Sequence, residues 1–315
     1  MARFLLRRLG LVVPALWLVS ALIFALAEIV PGDVARTILG PYATPAQVAS
    51  LRHQLGADRP LVVRYAAWLG GFITGNWGNS LVYNRPVLPF VIARLGNSLQ
   101  LALVTLVLVI PVSLALGILA GLHEDRPLDR VISLVGLSLT AIPEFVSGVI
   151  LLVVLGVGLR WFPIIAQPPP GVGPAGRVRY LILPAIPLAF VLFGYIARMA
   201  RAGMVDVMGS AYIRTAVLKG LPSLYVITHH ALRNALLPAI AVIGSQIGWL
   251  VGGLVVVETL FTYPGLGKLI YDSALAHDVP VLEATALLVA AIFMLSNLAA
   301  DAVVALLQPR VRSST

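Results

Sequence analysis

Residues 210–238 read SAYIRTAVLKGLPSLYVITHHALRNALLP, a long polar interruption in the second half of an otherwise apolar chain. A segment carrying Arg214, Lys219, His229, His230 and Arg233 does not cross a bilayer unaided, because a basic side chain at mid-membrane costs about 2.5 kcal/mol or more. Its grammar is nonetheless helical. Ser210 stands in a capping position, Tyr212, Thr215, Ala216 and Lys219 recur at helical spacing, and Gly220 with Pro222 forms a stop signal. The stretch is expected outside the lipid, as an ordered docking element.

The apolar surroundings fix the class. Of the 315 residues 59% are hydrophobic and 11% charged, and the mean hydropathy is +0.97, against roughly 25% charged residues in soluble domains. Several apolar runs near or above the roughly 20 residues that span the hydrocarbon core make this an all-α polytopic membrane protein rather than a barrel. The formal charge of +9 does not point to nucleic acid, because Lys and Arg sit in short clusters beside apolar runs instead of on one basic face. Absence of cysteine removes disulfides, zinc-thiolate sites and thiol nucleophiles.

Residues 9–30 form a first span behind Arg3, Arg7 and Arg8. A cleaved signal peptide is the alternative, but the run exceeds the 7 to 15 residues typical of a signal core. Residues 31–97 are mixed and mostly polar, with helix starts at Thr44-Pro45, Pro60 and Pro86. They predict a helical cap on the outer face, or short interfacial helices. Further spans are expected at 99–122, 131–159 (interrupted by Pro143 and Glu144), 181–197, 238–257 and 281–307. The chain thus divides into residues 1–30, an outer loop over 31–97 and a five-span core over 98–315. Both ends lie inside. Short inner segments hold twelve Lys or Arg, against Arg160, Arg177, Arg179 and Lys268 in the short outer loops, the bias that the positive-inside rule demands. Arg177 and Arg179 are a local exception.

Gly171-Val172-Gly173-Pro174-Ala175-Gly176 matches the dinucleotide pattern by letter, but no strand precedes it and no receiving helix is expected after it. Gly265-Leu266-Gly267-Lys268 lacks the first glycine and the final hydroxyl of a phosphate loop. In the fifth span Gly244, Gly248 and Gly252 share a face suited to close helix packing, with glycines merely scattered along a membrane helix as the alternative. Gln246 lies about 200° round from Gly244 and could line a path. Glu144, an acid at mid-span after a proline, is a pathway candidate by default; a Glu packed between helices at the kink is an equal reading. Asn297 shares a face with Asp301, a residue near the inner end suited to capping or pairing. His229 and His230 lack a nearby acid or Cys, so no metal site is expected. No catalytic constellation appears.

The polar stretch closely resembles the cytoplasmic signature of ABC-importer permeases in the dipeptide, oligopeptide and nickel branch. The likeness rests on Tyr212-Ile213-Arg214-Thr215-Ala216-Val217-Leu218-Lys219-Gly220-Leu221 and His230-Ala231-Leu232-Arg233-Asn234-Ala235-Leu236-Leu237-Pro238. It extends to Val257-Glu258-Thr259-Leu260-Phe261-Thr262-Tyr263-Pro264-Gly265-Leu266-Gly267, Pro31-Gly32-Asp33, Leu183-Pro184 and Pro309-Arg310-Val311-Arg312. The long first outer loop resembles that of the first of two permease subunits. Arg214-Thr215-Ala216 stands where the general signature has Glu-Ala-Ala, a feature of the peptide branch. Ser210-Ala211 stands where an acid is common, so no salt bridge is carried over from that position.

The resemblance implies the type I ABC importer permease fold in a bacterial inner membrane. It implies pairing with a second homologous permease, two cytoplasmic ABC ATPases that bind ATP and Mg, and an external substrate-binding protein. This chain would itself be no enzyme and hold no cofactor. A coupling helix near 210–221 would present Tyr212, Ile213, Arg214, Thr215, Ala216, Lys219 and Gly220 to an ATPase. Peptides are the first substrate expectation, with nickel chelates, glutathione and small saccharides behind. An ion-coupled secondary transporter, which would need acids near mid-membrane, is the rival of another class.

Overall fold

The computed structural model describes residues 2–29, 39, 40, 42–54 and 58–307. Pro31-Gly32-Asp33, Gly56 and Pro309-Arg310-Val311-Arg312 lie outside them. The described residues fold almost wholly into helices, with an isolated antiparallel bridge between Asn79 and Pro86. Helix α1 is Ala2–Ile29, α2 Pro45–Gln54, α3 Leu61–Thr74 and α4 Val87–Leu122. Next come α5, Pro127–Ala141, and α6, Glu144–Leu151, which runs on into a π-helical segment, Leu152–Gly158. Helix α7 is Pro174–Met208 and α8 Ala211–Leu218. Helix α9, Ser223–Ala235, is π-helical over Val226–Ala231, and α10 is Leu237–Gly253. Helices α11 (Val255–Leu260), α12 (Leu266–Leu275) and α13 (Val279–Leu307) complete the described chain.

Among the described residues four helices are long and apolar enough to cross a membrane, or six spans when each of two bent pairs is taken as one. The third span is not a simple rod. Ile142 is extended ahead of Pro143, because a residue preceding proline is disfavoured in the α region, and α5 and α6 diverge by 97°. Several helices outrun the apolar runs that announced them. The second begins after Pro86 rather than at residue 99, so the division drawn at 97 falls inside α4. The fourth, α7, starts at Pro174, inside the glycine pattern of 171–176. A helix does follow that pattern, contrary to expectation, although no strand precedes it.

Small residues set the packing. A Cβ on Gly117 of α4 would stand 2.5 Å from the Ala197 carbonyl oxygen of α7, and one on Gly121 would stand 2.6 Å from Met204 Cβ. Gly136 of α5 lies against Gly194 of α7. Gly244, Gly248 and Gly252 of α10 face Ala300, Phe293 and Val289 of α13. Two ion pairs tether α1 at the edge, Arg8 with Asp301 of α13 and Glu28 with Arg64 of α3.

Helix α2 starts on a reciprocal cap, in which Thr44 N donates to Gln47 Oε1 at 2.9 Å and Gln47 N donates to Thr44 Oγ1 at 3.4 Å. Helix α3 buries none of its residues and exposes Leu61, Val62 and Ile73. Its Tyr65 and Trp68 pack on Phe24 of α1. An apolar outer face on a 14-residue helix suits the membrane interface.

Replacing Gly248 by Leu drives a branched side chain into the Phe293 backbone, 3.3 Å from an ideal Cβ. Overpacking of this kind costs about 1 to 3 kcal/mol. The purified G248L subunit is expected to melt at a lower temperature, whereas Ser245→Leu on the exposed face of the same helix leaves the melting temperature unchanged.

Candidate functional site: the docking tip and the buried clamp

The polar stretch folds as the helix α8 and the arm α9. Helix α8 is amphipathic on a short scale. Ile213, only 2% exposed, and Ala216 face inward and pack with Met204, Val226, Ala231 and Ala235. Tyr212, Arg214, Thr215, Lys219 and Gly220 face outward. Two of the seven residues expected at a partner contact, Ile213 and Ala216, therefore anchor the helix to its own chain.

The outward polar groups are partly held. Asn234 Nδ2 donates to the Tyr212 hydroxyl at 3.0 Å, and Arg214 donates to the Gly209 carbonyl at 3.2 Å. Ser210 occupies the N-cap position, yet its hydroxyl turns back to donate to Val207 O at 2.6 Å instead of capping. Gly220 ends the turn with φ +76°, in the left-handed region that favours glycine. Three apolar residues that sequence reasoning passed over dominate the tip: Val217, Leu218 at 87% exposure and Leu224 at 73%. Their signal was a hydrophobic residue on the outward side of a short polar helix. Beside them Tyr225 stacks on His229 with ring centroids 4.3 Å apart. His229 and His230 belong to no metal-binding cluster among the described residues.

Above this tip, at the root of α5, Asp129 is 2% exposed and accepts two parallel bonds from Arg201 of α7, at 2.5 Å to Nε and 2.6 Å to the second nitrogen. Asp125 N and Ser133 Oγ also donate to it. A carboxylate so buried requires this full set of donors. The two residues stood out in the sequence only as members of charged flanks.

At the far end a second acid is buried. Glu258 accepts from Ser98 Oγ at 2.5 Å and from Lys268 N at 2.9 Å, while Leu266 N donates to Ser98 Oγ at 2.7 Å. The carboxylate thus fills the N-terminus of α12, the position a phosphate would need, which removes Gly265-Leu266-Gly267-Lys268 as a phosphate loop. The glycines there are steric necessities, since a Cβ on Gly265 would overlap the Glu258 carboxylate and one on Gly267 would lie 2.7 Å from the Val255 backbone. Tyr263 OH donates to Asn97 O, and Asn97 Nδ2 to Pro264 O, each at 2.8 Å. Burial pushes the Glu258 carboxyl up to about 7, against these donors, and holds the Tyr263 phenol above its ordinary value.

The three pathway candidates are not brought together. Glu144 is half-buried in the first turn of α6, with no hydrogen bond or ion pair to its carboxylate among the described residues. Gln246 is half-buried on α10, turned away from the glycine face. Asn297 donates to the Phe293 carbonyl of its own helix at 2.9 Å.

Comparison with known proteins places these features in a lineage. Residues 113–313 match the family described as binding-protein-dependent transport system inner membrane component, and residues 1–102 match its N-terminal companion. The chain is 34% identical to the probable peptide ABC transporter permease protein y4tP of Sinorhizobium fredii, over 99% of this chain and 100% of that one. It is 35% identical to the glutathione transport system permease protein GsiC of Escherichia coli K12, over 99% of both.

An acid whose value in the fold stands above its unfolded value of 4.5 makes the folded state bind the extra proton. Its contribution is most favourable at low pH and is lost as pH rises through about 7. Glu258→Gln is expected to flatten that slope, which amounts to roughly 3 kcal/mol. The check is the melting temperature of variant and parent compared from pH 5 to 8; parallel curves would count against a buried, titrating Glu258.

Proposed function

The chain belongs to the family of inner-membrane components of binding-protein-dependent transport systems, with the type I ABC permease fold, and from that premise we propose that it forms half of a translocation pathway for di- or oligopeptides. A second homologous permease supplies the other half. An external binding protein delivers the substrate, and two separate cytoplasmic ATPases, which carry ATP and Mg, drive the cycle. Both termini lie in the cytoplasm. The named relatives favour the peptide class, since one is called a peptide permease and another a permease for glutathione, itself a tripeptide.

The observation that carries the coupling part is the two-sided build of α8. Its inner face is locked into α7 and α9 through Ile213 and Ala216, while Leu218 and Leu224 stand almost fully exposed. Exposed apolar side chains rimmed by Arg214 and Lys219 mark an interaction surface. A groove on an ATPase that accepts this tip receives a rigid peg, so displacement of the ATPase reaches α7 without loss in a flexible joint. The apolar contacts at Leu218 and Leu224 hold the peg, and Arg214 and Lys219 orient it.

Leu218→Glu, Arg214→Glu and Gly220→Pro test this. Proline cannot take the φ of +76° found at Gly220, so that variant disrupts the turn, whereas Leu218→Glu alters only exposed surface and Arg214→Glu gives up one bond, to the Gly209 carbonyl. In vesicles containing the whole complex, all three are expected to insert normally and to lose at least about tenfold of ATP-driven uptake. Normal uptake in all three would remove α8 as the coupling element. Uptake sustained by a proton gradient without ATP would replace the ATP-driven reading with an ion-coupled one.

A further inference from the structure

Two arginines stand against the charge bias, Arg177 and Arg179, in the first turns of α7 and therefore at the end of the bundle remote from α8. Arg179 donates to the Trp161 carbonyl at 3.4 Å. Arg177 is different. Its Nε donates to the Val172 carbonyl at 3.1 Å, which orients the guanidinium, and its two terminal nitrogens have no acceptor among the described residues. No carboxylate of the described residues pairs with it.

Arg177 lines a cavity of about 190 Å³ together with Asn97, Gln100, Gln167 and Tyr263, with Leu181 and two prolines as its apolar walls. The walls are fixed. Tyr263 and Asn97 bind each other's neighbourhoods through two 2.8 Å bonds, and Ala166 N donates to Phe261 O at 2.9 Å, which pins the segment bearing Gln167. Tyr263 spends its hydroxyl proton and Asn97 one of its two amide hydrogens on that frame. What remains for a ligand is the open edge of Arg177, the second Asn97 hydrogen and the amides of Gln100 and Gln167. Such a set of donors around a planar cation matches a carboxylate, which an arginine binds through two parallel bonds.

We infer that this cavity is a subsite for the C-terminal carboxylate of a peptide entering from the outer face. The assignment rests on the peptide-importer reading, but its chemistry can be tested apart from transport. The volume admits a carboxylate with its adjoining residue. Gln100 and Gln167 supply amide contacts to the last peptide unit while Arg177 holds the charge, so a peptide is received carboxylate first.

The experiment uses the intact permease–ATPase complex in nanodiscs without binding protein, with N-acetylalanine and N-acetylalaninamide as probes in saturation-transfer NMR. N-acetylalanine is expected to give a signal that falls at least about tenfold in Arg177→Gln and is partly kept in Arg177→Lys, and the amide is expected to give none. An unchanged melting temperature in Arg177→Gln excludes misfolding as the cause. Equal signals from acid and amide, or a signal indifferent to Arg177, overturn the subsite. A second arm measures ATPase stimulation by liganded binding protein. A rise in the half-saturating concentration in Arg177→Gln, with the probe signal unaffected, assigns the arginine to a carboxylate on the binding protein and also overturns it. Failure of the parent complex to import peptide would count against the importer reading, while the acid-against-amide comparison still decides the cavity.

Discussion

Two helices can approach only as closely as the side chains between them allow, and α4 and α7 meet where side chains are missing. Gly117 and Gly121 bring the α4 backbone against Ala197, Ala200, Arg201 and Met204. In lipid this closeness substitutes for the hydrophobic effect, which cannot distinguish a neighbouring helix from an acyl chain. Polar locks then fasten each helix of the pair to a third element, α7 to α5 and α4 to the loop before α12. Arg201 of α7 is fastened to Asp129 at one end, and Asn97 and Ser98 of α4 are fastened to the Tyr263–Lys268 loop at the other. Breaking either lock would strand its groups in a medium that cannot solvate them.

The break in the third span is followed at once by a new helix. Pro143 stands between α5 and α6, and its carbonyl accepts the first bonds of α6 from Val146 N and Ser147 N. Gly148 of α6 then lies against Leu260 of α11, 2.7 Å from an ideal Cβ. The two bent spans are also the two that carry π-helical segments, Leu152–Gly158 and Val226–Ala231, local widenings often found at functional sites. The mobile work of a permease is expected of these bent spans and not of α4 and α7, each a single continuous helix.

Hydropathy made the spans legible because transfer free energy is read residue by residue. It misjudged their ends for the same reason: Arg177, Arg198 and Arg201 are helical but not apolar, so α7 exceeds its greasy centre on both sides. The glycine face of α10 was visible as a spacing, but its partner α13 was not, since pairing is a property of two helices. Glu258 and Asp129 were illegible as buried groups. One acid beside a span looks like another until Ser98, 160 positions away, or Arg201, 72 positions away, is folded onto it. At the tip the helix could be read, whereas the division into an anchoring face and an exposed face required the positions of α7 and α9.

Helix α7 packs on α4, α5, α6, α10 and α11 and carries both Arg201 of the lock and Met204 of the α8 anchor. At about 1.5 Å per residue its 35 residues extend roughly 50 Å, from the cavity beside Arg177 to the anchor of α8 at Met204. Pro184 and Pro187 interrupt its hydrogen-bond ladder in the outer half, where Leu183 and Leu188 are fully buried and hold it in place. Below them no proline intervenes before Met208. A turn imposed on the tip is therefore delivered first to the Asp129–Arg201 lock and to the root of the bent span α5 and α6. It reaches the outer cavity only through the proline region. On the coupling role and the subsite proposed above, a push on α8 moves the bent span before it disturbs the far mouth, an order that lets the pathway rearrange while a ligand at that end is still held.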